Sequence, residues 1–376
     1  MYYSCHYLGA DSQLARAVVL GNLPICVRLP YIYFEARQEP VGVRYMAGRV
    51  VAVRVVVALI VLAVAITFLK PFDSGAQKGP LTKSSLNLKG VLLYHRYTSY
   101  SAWDSNLWMM DLTTGALAQV NKNWTSVLSP MNAHFSADGK SMVFMGSQSG
   151  LVENDWDVFI SHWDGGTWAE PINLTGLNGK RDEDPKFSPN GETVIYKENG
   201  VLATMGIDGS SKTYLTVGKP ESSMPYFAKN GKDILFERNN LIMLLKDGQE
   251  KTLWAQEGLN AYYPIGMDDE RYLFTQVQAS RHDRLMIGYY DGREAQPLFF
   301  NSDTWDTSDP YPYEDGKRYI FYVSGDVSVI QGGYNLMVAD LKNKVVASMG
   351  IMNPEANSNL EELGPAWSAN GKFPKN

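Results

Sequence analysis

The sequence predicts an all-β fold, a six-bladed β-propeller preceded by an N-terminal apolar helix. Three observations lead there. A short turn phrase recurs six times, an apolar run of strand length follows most copies, and the two ends of the repeat region each hold part of one unit.

The phrase opens on Pro or Ala, usually has an aromatic residue two positions later, and then enters a polar turn, in most copies Asn-Gly or Asp-Gly. It occurs at 133–140 (AHFSADGK), 185–192 (PKFSPNGE), 225–232 (PYFAKNGK), 264–271 (PIGMDDER, degenerate), 310–317 (PYPYEDGK) and 365–372 (PAWSANGK). Asn-Gly and Asp-Gly supply the positive φ that a tight turn between antiparallel strands needs. Runs such as Met142-Val143-Phe144, Val194-Ile195-Tyr196 and Ile234-Leu235-Phe236 come next and read as buried strands. A second hairpin follows, marked by Asp164-Gly165, Asp208-Gly209, Asp247-Gly248 and Asp291-Gly292, and a fourth strand ends each unit. Four strands per unit at this spacing make a propeller blade.

The ends complement each other. The sixth phrase stops where its second strand should begin, and 90–97 (GVLLYHRY) is a second strand with no phrase ahead of it. The last blade is therefore expected to take its first strand from the C-terminus and the other three from the N-terminal end of the propeller, spanning 90–376.

The N-terminal segment has a different character. Residues 55–69 are apolar apart from Thr67, with Arg49 and Arg54 ahead and Lys70-Pro71 behind. Fifteen residues suit a signal sequence, whereas a membrane span needs about 20. Residues 46–70 thus read as a signal peptide or a signal anchor, with possible cleavage after Ala65 or Ala76. The basic flank places the body across the membrane, and 71–89 reads as a linker. Residues 1–45 lack a clear period and hold both cysteines, Cys5 and Cys26. Met46-Ala47-Gly48-Arg49 would make an ordinary start, so 1–45 reads either as an upstream translation artefact or as a cytoplasmic tail.

Charge narrows the function. Without the seven basic and three acidic residues of 1–70, the body carries 27 basic and 37 acidic residues. Such a body repels phosphate backbones, which argues against nucleic-acid partners. A body free of cysteine has no disulfide framework, thiol nucleophile or Cys-ligated zinc.

The repeat resembles that of the TolB-like propellers, roughly P-x-F-S-P-D-G-K followed by a strand ending D-L-x-T-G. Ser188-Pro189-Asn190-Gly191 and Asp111-Leu112-Thr113-Thr114-Gly115 match it best. TolB itself would bring an α/β domain ahead of the propeller, for which 71–89 has no room, and the hydrolase domain of prolyl-peptidase relatives has no counterpart either. A propeller repeat indicates fold more than function.

No catalytic signature is found: no G-x-S-x-G, P-loop, HExxH or dinucleotide fingerprint. His95 and His134 fall on neighbouring blades and could meet at the channel. The resemblance to oligogalacturonate lyases, propellers that use channel histidines with a divalent metal, makes a polysaccharide lyase the enzymatic alternative. No cofactor or metal is assigned. The loops entering each first strand, and those joining second to third strands, share one face that is long, acidic and aromatic. Trp103, Asp104, Trp156, Asp157, Asp182, Asp184, Tyr263, Trp305, Asp306 and Asp309 are the candidate ligand-binding residues. The expected role is a non-enzymatic platform, periplasmic or at the cell surface, for an envelope protein or a polysaccharide, tethered through residues 50–69 if uncleaved. A purely structural envelope subunit is a third reading.

Overall fold

The computed structural model describes residues 18–20, 23–25, 81–148, 155–278, 282–328 and 333–375. Residues 26–80, with the apolar run, Met46 and most of the linker, lie outside them. Among the described residues no helix is long and apolar enough to cross a membrane. In the N-terminal unit, Val18–Leu20 pairs antiparallel with Leu23–Ile25.

The larger unit begins with a one-turn helix, Lys83–Leu86, capped by Thr82. It then forms six four-stranded antiparallel sheets. The innermost strands of blades 1 to 5 are Leu128–Phe135, Asp182–Phe187, Ser222–Phe227, Asn260–Gly266 and Trp305–Pro312. Each is followed in sequence by the other three strands of its blade.

Blade 6 is composite, as expected from the two ends. Its innermost strand is Glu361–Ser368, which pairs with Val91–Tyr97 from Glu361↔Tyr97 to Ser368↔Val91. Asn106–Asp111 and Leu117–Gln119 complete it. The sheet ladder itself thus joins the two ends of the ring.

The turns show why the phrase recurs. In blade 1 the Asp138 carboxylate accepts from the Lys140 amide and the Ser136 hydroxyl. Gly139 has φ +67°, and a Cβ there would lie 2.2 Å from the Asn370 carbonyl carbon. Only glycine lets this turn sit against its neighbour in blade 6. The degenerate copy in blade 4 has Glu270 where the others have the turn glycine. There Asp268 holds the turn, accepting from the Glu270 and Arg271 amides and from the Arg271 guanidinium.

Apolar side chains are buried mainly between adjacent blades. Leu92, Tyr94 and Met110 of blade 6 pack with Phe321 and Leu336 of blade 5, and Leu93 and Met109 with Phe135 and Phe144 of blade 1. Equivalent clusters fill the other four junctions. Each sheet is covered on both faces, as closed radial packing requires.

Candidate functional site

All six innermost strands bulge at the same place. Their register shifts immediately ahead of the repeat phrase. The residue before each phrase is left-handed: Asn132 (φ 55°), Asp184 (56°), Met224 (52°), Tyr263 (51°), Asp309 (47°) and Gly364 (60°). A bulge kinks its strand and re-aims one side chain, and repeated six times it sets a ring of residues around the channel. Two positions on, a second ring comprises His134, Lys186, Tyr226, Ile265, Tyr311 and Ala366. Both rings line one narrow, open-mouthed cavity of about 60 Å³. The innermost strands run from the long-loop face towards the hairpin rim, so the bulge ring is nearer the long loops.

The second ring forms a floor. His134 Nδ1 accepts from the Phe187 amide at 3.2 Å. The neutral ring therefore carries its proton on Nε2, which lies 3.5 Å from Tyr226 Oη and 3.4 Å from Tyr311 Oη. These residues come from blades 1, 3 and 5, and side chains from alternate blades can touch only near the axis. Burial, with Lys186 nearby, holds the His134 pKa at about 3. His95 is also buried and is held at about 3 for the same reasons. Its Nδ1 faces the Asn132 amide at 3.5 Å. A Cβ on Gly364 would lie 2.9 Å from that nitrogen, so glycine makes room for the imidazole.

The channel carries charge at the floor, from Lys186, and above it, from Asp184 and Asp309. Lys186 Nζ donates to the Pro185 carbonyl at 3.2 Å. Burial lowers its pKa, opposed by the charges of Asp184 and Asp309. Asp184 Oδ1 accepts from Asn132 Nδ2 at 3.0 Å. Asp309 accepts from the Gly364 amide at 2.9 Å and the Ser308 hydroxyl at 3.2 Å, while burial raises its pKa. Blades 2 and 5 are diametrically opposite in a ring of six, and the two carboxylates are close enough for the charge of Asp184 to raise the Asp309 pKa further.

Of the residues singled out in the sequence, Asp184, Tyr263, Asp309 and His134 line this cup, and His95 packs against it through Asn132. The others lie elsewhere. Trp103 stacks on Trp156 with centroids 4.5 Å apart and planes 16° apart. Trp156 is only 1% exposed and belongs to the interior. Asp104 accepts from the Thr98 amide and hydroxyl. Asp306 accepts from the Asp283 amide and Tyr334 Oη. Asp157 and Asp182 are buried where blades 1 and 2 meet, bonded to Asn173 and Asn178 respectively. Trp305 is 39% exposed, at the start of the blade 5 innermost strand.

Asn132, Lys186, Tyr226 and Tyr311 were not singled out, although the phrase itself marks them. The residue before it and its second residue face the channel in every blade. Among the described residues, no group of three or more His, Cys, Asp or Glu is placed to hold a metal ion.

No family model and no curated protein matches the chain. Solved structures do. TolB from Acinetobacter baumannii aligns over 74% of this chain and 66% of its own, with a TM-score of 0.56 and 16% identity. The chain has the TolB-like propeller fold. Kuenenia stuttgartiensis hydrazine synthase aligns over 81% of this chain and 51% of its own, with a TM-score of 0.59 and 12% identity. A chain of a nidogen/laminin complex aligns over 75% of this chain and 100% of its own, with a TM-score of 0.51 and 12% identity. The chain spans just under two thirds of that TolB and about half of that hydrazine synthase chain. At such identities the likeness is one of fold.

Proposed function

We propose that this propeller is a non-enzymatic binding platform outside the cytoplasm that takes a protein partner on its long-loop face. One observation carries the reading: the channel is a cup, floored by His134, Tyr226 and Tyr311, with its charged ring towards the long loops. A closed ring saturates its inner strand edges and buries its blade faces, leaving the rims and channel for recognition. The opposite rim consists largely of short Asp-Gly and Asn-Gly turns with little reach. The extracytoplasmic placement rests on the apolar run 55–69 behind Arg49 and Arg54. The same fold occurs in a nidogen/laminin complex, an assembly of proteins.

The lyase alternative is weakened by His134. Its Nδ1 is occupied by a backbone amide and its Nε2 carries the proton, so it offers no lone pair to a metal or a substrate proton.

The test is site-specific photocrosslinking in the native host, with the photoreactive residue at Tyr100, Trp103 or Trp305, or on the opposite rim at Asp208 or Asp247. A discrete protein adduct from the first set, absent from the second, is expected. Adducts only from the hairpin rim, or depolymerisation of an acidic polysaccharide by the pure protein, would overturn the proposal.

A further inference from the structure

We infer that the cup is a socket for one cationic side chain of the partner, the ammonium of a lysine or the guanidinium of an arginine, seated between Asp184 and Asp309. The inference rests on the platform reading above and names what that face recognises.

The charge count is the starting point. The cup holds two carboxylates and one ammonium, and among the described residues neither carboxylate has a cation within 4.0 Å. Lys186 instead bonds the carbonyl of Pro185. Among the residues lining the cup this leaves one negative charge in excess, within walls of Met224, Pro225, Pro264, Pro310 and Pro365; Lys197, which also feels the Asp184 charge, is paired with Glu183 and Glu221. An uncompensated charge in apolar surroundings is costly, so a monocation is the ligand that restores balance.

The geometry fits the same ligand. Asp184 and Asp309 come from opposite blades, line the same narrow cavity and feel each other's charge, so one multidentate donor seated there is within reach of both. Asn132, Ser308 and the Gly364 amide occupy some of their lone pairs and hold the carboxylates in place. The phenols of Tyr97 and Tyr263 lie close enough to Asp309 for its charge to raise their pKa values further, beyond the effect of burial. Aromatic rings beside carboxylates suit a guanidinium or an ammonium, and the proline and methionine walls suit its alkyl stem. Two features disfavour other ligands. An anion meets two carboxylates for one ammonium, and a divalent metal meets that ammonium with only two carboxylate ligands.

The probes are methylguanidinium and n-butylammonium chloride, titrated into the purified propeller at constant ionic strength and followed by the ring resonances of Tyr97 and Tyr263. Saturable binding is expected. Asp184→Asn and Asp309→Asn should each weaken it about tenfold, by loss of a charge-assisted contact worth roughly 1.4 kcal/mol. Lys186→Met should tighten it, and unchanged melting temperatures would show that the variants are folded. Three results would overturn the inference: no saturable binding of either cation, binding that survives in the double Asn variant, or acetate or calcium binding where the organic cations do not. Failure here with crosslinks still on the long-loop face removes only the socket. Cation binding with crosslinks confined to the hairpin rim removes the platform reading instead.

Discussion

Arg96 and Glu362 lie 266 positions apart and form a buried ion pair, Nε to Oε1 at 2.9 Å, across the strands that close the ring. The guanidinium also donates to the Glu355 and Ala356 carbonyls and lies 4.5 Å from the centroid of the Trp108 ring. Glu362 additionally accepts from the Ser358 amide and hydroxyl. The pair fastens the second strand of blade 6, from the start of the propeller, to the first, from its end. Removing one member strands the other as a buried charge. Glu362→Ala is expected to destabilise by about 3–5 kcal/mol, measured by urea unfolding, whereas replacing both partners with apolar residues of similar volume should cost much less.

Deleting 365–376 removes Ala366, Trp367 and Ser368 from the closing ladder and leaves Leu93, Leu92 and Val91 unpaired on that edge. It also removes the bonds from Trp367 Nε1 to the Lys89 carbonyl and from Trp168 Nε1 to the Lys372 carbonyl. Exposed edges invite association. The truncated protein should melt at a lower temperature and elute as oligomers in size-exclusion chromatography. An unchanged monomer with unchanged melting would contradict the closure.

Asp157 and Asp182 set a pH dependence. Each has one buried oxygen without a hydrogen-bond partner, and burial raises both pKa values to about 6. In the unfolded chain they titrate near about 4, so between about 4 and 6 the folded state binds more protons. Their contribution makes stability fall as pH rises through that window and level off above it. Asp157→Asn and Asp182→Asn should therefore each stabilise the protein at pH about 7, by on the order of 1 kcal/mol, and flatten the profile. The check is urea unfolding of wild type and variants across the window; identical slopes would contradict it.

Trp103 and Trp156 should separate binding from stability. Trp156 is interior, packed among Met131, Met145 and Trp103, so Trp156→Ala is expected to cost about 3–5 kcal/mol of stability. Trp305 is exposed and Trp103 partly so, and their Ala variants should weaken partner binding by about 2 kcal/mol or more if they are contact hot spots. Asp208→Ala and Asp247→Ala on the hairpin rim should leave binding unchanged. Calorimetry on the crosslinked partner, once purified, reads the difference.

The local phrase carried the blades, because the turn, the apolar run and the second hairpin are short-range features written into consecutive residues. Ring closure was also legible, since a phrase lacking its second strand at 372 and a second strand lacking its phrase at 90 can satisfy their backbone hydrogen bonds only by pairing. The cup was legible only in part. Asp184, Tyr263 and Asp309 stand out by composition, but Lys186 and Asn132 are ordinary residues until six bulges turn their positions towards one axis. Burial likewise had to come from the tertiary structure. Trp156 and Asp306 read as loop-face residues, and only the packing of neighbouring blades places one beneath Trp103 and bonds the other to Tyr334. Sequence patterns record what a residue's chain neighbours require. Which blades lie opposite, and therefore which charges meet, is decided by closing the ring.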